Sequence, residues 1–252
     1  MASKKNTFYF ILAPFTFVIA LTACDTKVSD TTRPQTVSAA SIATTTHNPE
    51  QSLSLPMRLA FMTGHVEAGL ALYRAGELEM AAPHLLHPIS EIHKEERVGL
   101  QKLGLDVVSF VAVSAALEAN RAAFEIEPLL NQAESNLKML ADRAGGDPIE
   151  IIDFLLEMIA EEYTIAVGDR VITDIGEYQD AFGFRVAASK QALLIPEGSM
   201  RQFAVEALEG LGSLWLDGPK PVARPTSAGV MADRVSTICL LYTSPSPRDR
   251  FL

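Results

Sequence analysis

Three of the five histidines of the 252-residue chain fall in one short stretch, Ala81 to His93, "AAPHLLHPISEIH". At about 100° per residue, a helix through it carries His84, His87 and Glu91 on one face. Leu78, Ala82, Leu85, Ile89 and Ile92 form a different, apolar face. Two imidazoles beside a carboxylate are a donor set suited to zinc, copper, nickel or iron. His65, next to Gly64 on the preceding helical segment, is placed to add a ligand across a hairpin. His93 points away from His84 and is a poorer candidate. Pro88 decides the matter: it cannot donate to the carbonyl of His84 and its ring crowds that carbonyl. If the helix ends at His87, the shared face is lost and the stretch is a hairpin element with incidental imidazoles.

A second set of candidate ligands lies in "EEYTIAVGDRVITDIGEYQDAFGF", Glu161 to Phe184. Asp174, Glu177 and Asp180 recur every three residues, which keeps them near one helix face. Converging carboxylates hold hard cations such as iron or calcium, whereas an acidic face alone is ordinarily just solvated. Tyr163, Ala166-Val167, Gly168, Val171 and Glu177-Tyr178-Gln179 resemble, in type and order, the extracytoplasmic helical segment of some bacterial high-affinity iron permeases. The resemblance implies a helical module connected with iron uptake. The membrane helices and the Arg-Glu-x-x-Glu motif of those permeases have no counterpart in this chain.

Motifs of other chemistry do not occur. There is no Gly-x-Ser-x-Gly elbow, no phosphate-binding glycine loop, no His-Glu-x-x-His and no dinucleotide fingerprint. The expectation is a non-enzymatic protein whose cofactor, if it takes one, is iron or copper.

The chain ends set its expected address. Lys4 and Lys5 precede an apolar run from Phe8 to Leu21, shorter than the ~20 residues that span a bilayer. Leu21-Thr22-Ala23-Cys24 resembles the lipobox of bacterial lipoproteins, which implies a signal peptide over 1–23 and lipidation of Cys24. Several acyl chains, at about 0.8 kcal/mol per buried methylene, give a stable anchor on the periplasmic side of the cell envelope. Asp25 after the cysteine resembles an inner-membrane retention signal. Residues 25–52 are rich in Ser and Thr, bury too little to offset ordering, and are expected to tether the domain. At the other end, Cys239 to Asp249, "CLLYTSPSPRD", resembles translated sequencing adapter codon for codon. Residues 239–252 are therefore set aside as an artefact, with the native C-terminus missing.

The net charge is −10. The signal and the tail hold four bases (Lys4, Lys5, Arg248, Arg250) against one acid (Asp249), so the intervening chain is more acidic still. Such a surface repels phosphate backbones and excludes nucleic acid as a partner. Of the two cysteines, Cys24 is expected to carry lipid and Cys239 to be foreign, leaving none for a disulfide or thiolate metal site.

Between these ends the hydrophobic period is helical, and an all-α antiparallel bundle of six or seven helices is predicted over 53–217. Helix one spans Leu55 to Arg74, with Leu59, Met62, Val66, Leu70 and Tyr73 on one stripe, and Gly76 ends it. Helix two starts near Glu77. Helix three, Asp106 to Glu127, is apolar nearly all round and is stopped or kinked by Pro128. "LLNQAESNLKMLADRAG" makes a fourth. Asp147 and Pro148 open a fifth as N-cap and first helical residue. Asp174 opens a sixth, to Leu194, and Ser199 with Gln202 forms a capping box for a seventh. The only strand-like segment is "DRVITDI". Gly69, Tyr73, Gly76, Ala81 and Leu85 match one tetratricopeptide-like hairpin, a mark of close helix packing. Residues 218–238 are read as a linker or the start of a further region.

These readings converge on an envelope lipoprotein that assists metal uptake or handling, with the membrane and a metal permease or other envelope protein as partners. The alternative is a helical scaffold for an envelope complex. The two differ in whether His65, His84 and His87 can approach one point.

Overall fold

The computed structural model describes residues 53–86, 89–90 and 97–243. The signal, lipobox, Cys24 and tether, together with His87, Pro88, Glu91 and His93, lie outside the described residues. The fold is all-α. Its helices are α1 (Leu55–Arg74), α2 (Leu78–Leu86), α3 (Leu100–Leu103), α4 (Val107–Glu118), α5 (Ala123–Ala144), α6 (Pro148–Ala166), α7 (Ile175–Ala192), α8 (Ser199–Gly212) and α9 (Ala228–Thr243). The strands are minimal: β1 (Val167–Gly168) and β2 (Val171–Ile172) pair antiparallel, and β3 spans Leu216–Pro219.

Local chemistry sets most boundaries. α1 closes on Gly76 at φ 84°, with Glu77 N–H on the Leu72 carbonyl and Gly76 N–H on that of Tyr73. This is the Schellman arrangement, which needs a left-handed residue after the helix. The same device, with Asn120 at φ 49°, ends α4. Helix three is therefore shorter than predicted. The break falls at Asn120 because its short polar side chain tolerates the left-handed region, and Pro128 lies inside α5 without ending it. Asp147 caps α6 through Ile149 N–H at 2.8 Å, with Pro148 at the first helical position as expected. The capping box at Ser199 does not form: Gly198 is the N-cap, and Gln202 donates to Glu206 instead.

Between α6 and α7 the chain reverses in two residues. Asp169 (φ 50°) and Arg170 (φ 60°) both sit in the left-handed region, as a type I′ hairpin loop requires. This tight return makes α6 and α7 an antiparallel pair, and their facing sides form the most extensive helix–helix contact among the described residues.

Among the described residues, two apolar clusters make up the core. One joins α6, α7, α8 and α9 around Leu155, Ile159, Tyr163, Tyr178, Phe184 and Trp215. The other joins α1, α2, α4 and α5 around Leu70, Leu72, Leu85, Phe110, Leu117 and Ile126. Each such side chain contributes roughly 1.5–3 kcal/mol when fully buried. α1 lies between them and is buried almost all round from Gly64 to Leu70. The span 218–238, read from the sequence as a linker or the start of a further region, holds most of α9, whose Met231, Val235 and Ile238 close the first cluster against α6.

Glycines let α1 approach its neighbours. A Cβ on Gly183 would stand 2.1 Å from the Gly64 carbonyl oxygen and 2.7 Å from Ala68 N. A Cβ on Gly64 would stand 2.0 Å from the Phe184 ring. Backbone therefore meets backbone where α1 crosses α7. On the other side Gly69 packs against Leu85 and the Ala81 carbonyl, as the hairpin pattern of these residues predicts.

Candidate metal centre

The α1–α7 crossing and the α1–α2 hairpin bring three polar side chains into the boundary between the two apolar clusters. His65 on α1, His84 on α2 and Asp180 on α7 are 2 %, 5 % and 2 % exposed. His65 Nδ1 lies 2.7 Å from Asp180 Oδ1, and His84 Nδ1 lies 2.8 Å from the same oxygen. One ligand atom from each of the three lies within 4.8 Å of the others. The sequence distance between His65 and Asp180 is what the Gly64–Gly183 contact spans in space.

The surroundings fix the orientation of each ring. His84 Nε2 lies 2.8 Å from Gln179 Oε1, and Gln179 Nε2 donates to Met80 Sδ at 3.2 Å. The sulfur contact determines which end of the amide faces the imidazole. Both nitrogens of His84 thus face acceptors, an arrangement that suits the imidazolium. His65 is held edge-on to Phe61 and Phe184, at centroid distances of 4.6 and 5.2 Å. Glu67, one turn from Gly64 and also buried, is paired with Lys190 rather than directed into the cluster.

Charge follows geometry. Burial alone would disfavour the His84 cation, but the hydrogen bond and charge of Asp180, then Gln179 and Glu177, outweigh it and raise the imidazole above its ordinary value. Burial alone would likewise raise the Asp180 carboxyl, yet His65 and His84 together hold it well below the usual carboxylate range. At the α6–α7 end, half-buried Glu162 is pushed up to about 9, first by burial and then by its hydrogen bond to Glu177 and the charges of Glu177, Asp180 and Glu161.

The sequence candidates divide accordingly. His65, His84 and Asp180 come together, joining the two sets that the sequence presents separately. Glu177 stands one turn before Asp180 and is half-buried. Asp174 does not join them: its carboxylate is the N-cap of α7, accepting from Gly176 N–H at 2.9 Å and Glu177 N–H at 3.3 Å. His87 and Glu91 lie outside the described residues. Sequence reasoning missed Met80 and Glu162 and gave Gln179, named within Glu177-Tyr178-Gln179, no place in the site; Glu162, the second residue of "EEYTIAVGDRVITDIGEYQDAFGF", was legible as a carboxylate at the α6–α7 end. Pro83, inside α2, leaves His84 helical and buried.

An imidazole pair and a carboxylate sharing one point can hold a cation. Metal–ligand bonds of about 2.1 Å separate neighbouring donors by about 3.0–3.4 Å, so the two imidazole–carboxylate contacts need open only by a few tenths of an ångström. Binding displaces the proton that His84 presents to Asp180, since the ligating imidazole is neutral.

Comparison with known proteins adds one finding. Residues 147–226 match the model of the iron permease-associated 4-helix bundle domain. No curated protein and no solved structure matches the chain. The matched segment holds α6, α7 and α8, with α1 and α9 packed against it, and it contains Tyr163, Gly168 and Glu177-Tyr178-Gln179. It supplies Asp180, Glu162 and Glu177 to the site, whereas His65 and His84 come from the hairpin before it. The chain thus joins a segment similar to the iron permease-associated 4-helix bundle domain to a helical hairpin that brings two imidazoles to its side.

Proposed function

We propose that this protein is a non-enzymatic, metal-binding accessory of an iron uptake system, anchored through Cys24 on the periplasmic side of the envelope. The observation that carries the reading is the convergence of His65, His84 and Asp180, buried, from three helices. Two nitrogens and one oxygen suit a first-row divalent ion and are a poor set for calcium or magnesium, which take oxygen ligands. Copper(II) binds such a site more tightly than iron(II) on general grounds. Iron is placed first because of the matched segment, and copper second. The acidic surface concentrates cations, and a metal permease is the natural recipient. No helix among the described residues is long and apolar enough to cross a membrane; the assignment of the anchor to lipid rests on Leu21-Thr22-Ala23-Cys24.

Calorimetric titration of the full chain with Fe2+ under anaerobic conditions, then with Cu2+ and Zn2+, tests the reading. One equivalent bound with micromolar or tighter affinity, lost in His84→Ala, is expected. No binding of any of the three below millimolar levels overturns it. The scaffold reading draws on one specific observation: both nitrogens of His84 already have protein acceptors, as in a purely structural polar core. It expects His84→Ala to lower stability with no metal affinity to lose.

A further inference from the structure

A buried cation site needs a way in, and among the described residues the groups around His65, His84 and Asp180 do not offer one equally. On the α1 side Phe61 and Phe184 bracket the His65 ring, and the backbones of α1 and α7 touch at Gly64 and Gly183. On the α2 side the Gln179 amide is bonded at both ends, to His84 and to Met80, and fills the space between them. Glu67 is taken by Lys190. The α6–α7 end is different. Glu161 is exposed, Glu162 and Glu177 are half-buried and stand next in sequence to Tyr163 and Tyr178, whose rings pack 5.7 Å apart between α6 and α7, and Asp180 follows Glu177 by one helical turn and is buried. Residues three apart lie on one helix face, so carboxylate oxygens descend stepwise from solvent to the cluster. The field of Glu177 reaches His84, and that of Asp180 reaches Glu162, so the steps are close enough to interact.

We propose that the Glu162–Glu177 carboxylate pair is the route by which a divalent cation enters and leaves the His65–His84–Asp180 cluster. This rests on the metal-binding reading above. Oxygen donors that exchange rapidly at a half-buried rim, leading to imidazoles in a closed site, can replace the water of a hydrated ion one ligand at a time. Neither glutamate is then a final ligand. Each lowers the barrier in both directions, so removing one slows entry and exit together and leaves the equilibrium nearly unchanged.

Stopped-flow mixing of the full chain with Co2+ alone, followed by its visible absorption, and displacement by chelator give the two rate constants. Glu177→Gln and Glu162→Gln are each expected to lower both association and dissociation about 10-fold, with Kd shifted less than about threefold. Glu206→Gln, which removes a carboxylate on α8, is expected to leave both rates unchanged, whereas Glu177→Asp, which keeps the carboxylate, is expected to rescue both rates toward wild type relative to Glu177→Gln and so separates loss of charge from loss of folding. Wild-type rates in both Gln variants overturn the route while leaving the site standing. Faster dissociation with a Kd raised more than 10-fold also overturns it, since the glutamate is then a ligand. Failure of the wild-type chain to bind Co2+ overturns the site and the route together.

Discussion

Asp180 faces both imidazoles with one oxygen and is nearly inaccessible to solvent. Its replacement by Asn keeps the shape but removes the charge that holds His84 protonated. Breaking a buried pair in this way costs about 3–5 kcal/mol, because a charge is left without its partner or must neutralise. Denaturant unfolding of Asp180→Asn in EDTA is expected to show a loss of that order, and a loss under ~1 kcal/mol would mean the contacts carry little. pH gives an independent check. Folded His84 and Glu162 both bind their protons more tightly than in the unfolded chain, so each contributes stability below its unfolded value, near 6.5 and 4.5, and loses it as pH rises through the folded one. Asp180 acts oppositely, and its contribution is lost only in strong acid. Metal-free protein is therefore expected to be most stable near pH 5 and to weaken steadily toward pH 9, measured by thermal unfolding across buffers. Glu162→Gln, which mimics the protonated carboxyl, is expected to flatten part of that decline. At this scale the histidines and acids were readable as ligand types. Met80 was not, and Gln179 was visible only as part of the resemblance, because neither shows a role at the site until the fold brings Gln179 against His84 and its amide against the sulfur.

The elements position these residues through contacts between backbones, and Gly183 is the narrowest. Gly183→Ala inserts a methyl where α1 already fills the space. Overpacking of this kind ordinarily costs 1–3 kcal/mol, and here backbone atoms rather than a flexible side chain must yield, so about 3 kcal/mol or more is expected. The helix separation it forces also carries His65 away from Asp180. A variant that unfolds with wild-type stability would show that α1 and α7 do not pack this closely. Helix identity was largely legible, since period and capping chemistry are local: α1 ends where Gly76 allows, and α6 and α7 start at Asp147 and Asp174 as their side chains dictate. Asn120 was missed as a stop because a left-handed Asn closes a helix as well as Gly does, while Pro128 drew the boundary away from it. Ser199 was over-read because a capping pattern does not say which residue has extended backbone, and Gly198 takes that place. The same capping signal at Asp174 shows the limit in reverse: an acid at a ligand-like spacing was serving its own helix.

At the scale of the molecule, two clusters of apolar side chains meet along α1, and the polar site sits on that boundary. A cation bound there ties α1, α2 and α7 together and stabilises the folded chain by mass action. At 100 times Kd the gain is about 2.7 kcal/mol, or a rise in Tm of roughly 5–10 °C. Trp215, the single tryptophan, packs edge-on against Phe182 and Tyr163 beside Asp180's helix, so its fluorescence reports both unfolding and quenching by a bound paramagnetic ion. All-α architecture followed from the helical period. The meeting of the two ligand sets did not, since nothing in the spacing of His65, His84 and Asp180 encodes which helices cross. The most direct measurement is X-ray absorption at the iron edge of the full chain loaded anaerobically with one Fe2+. The expected result is a first shell of nitrogen and oxygen at about 2.1 Å, with the outer-shell scattering of two imidazoles, falling to one in His84→Ala. An oxygen-only shell without imidazole scattering, or a spectrum unchanged in that variant, would contradict the assignment of His65, His84 and Asp180 as the metal site.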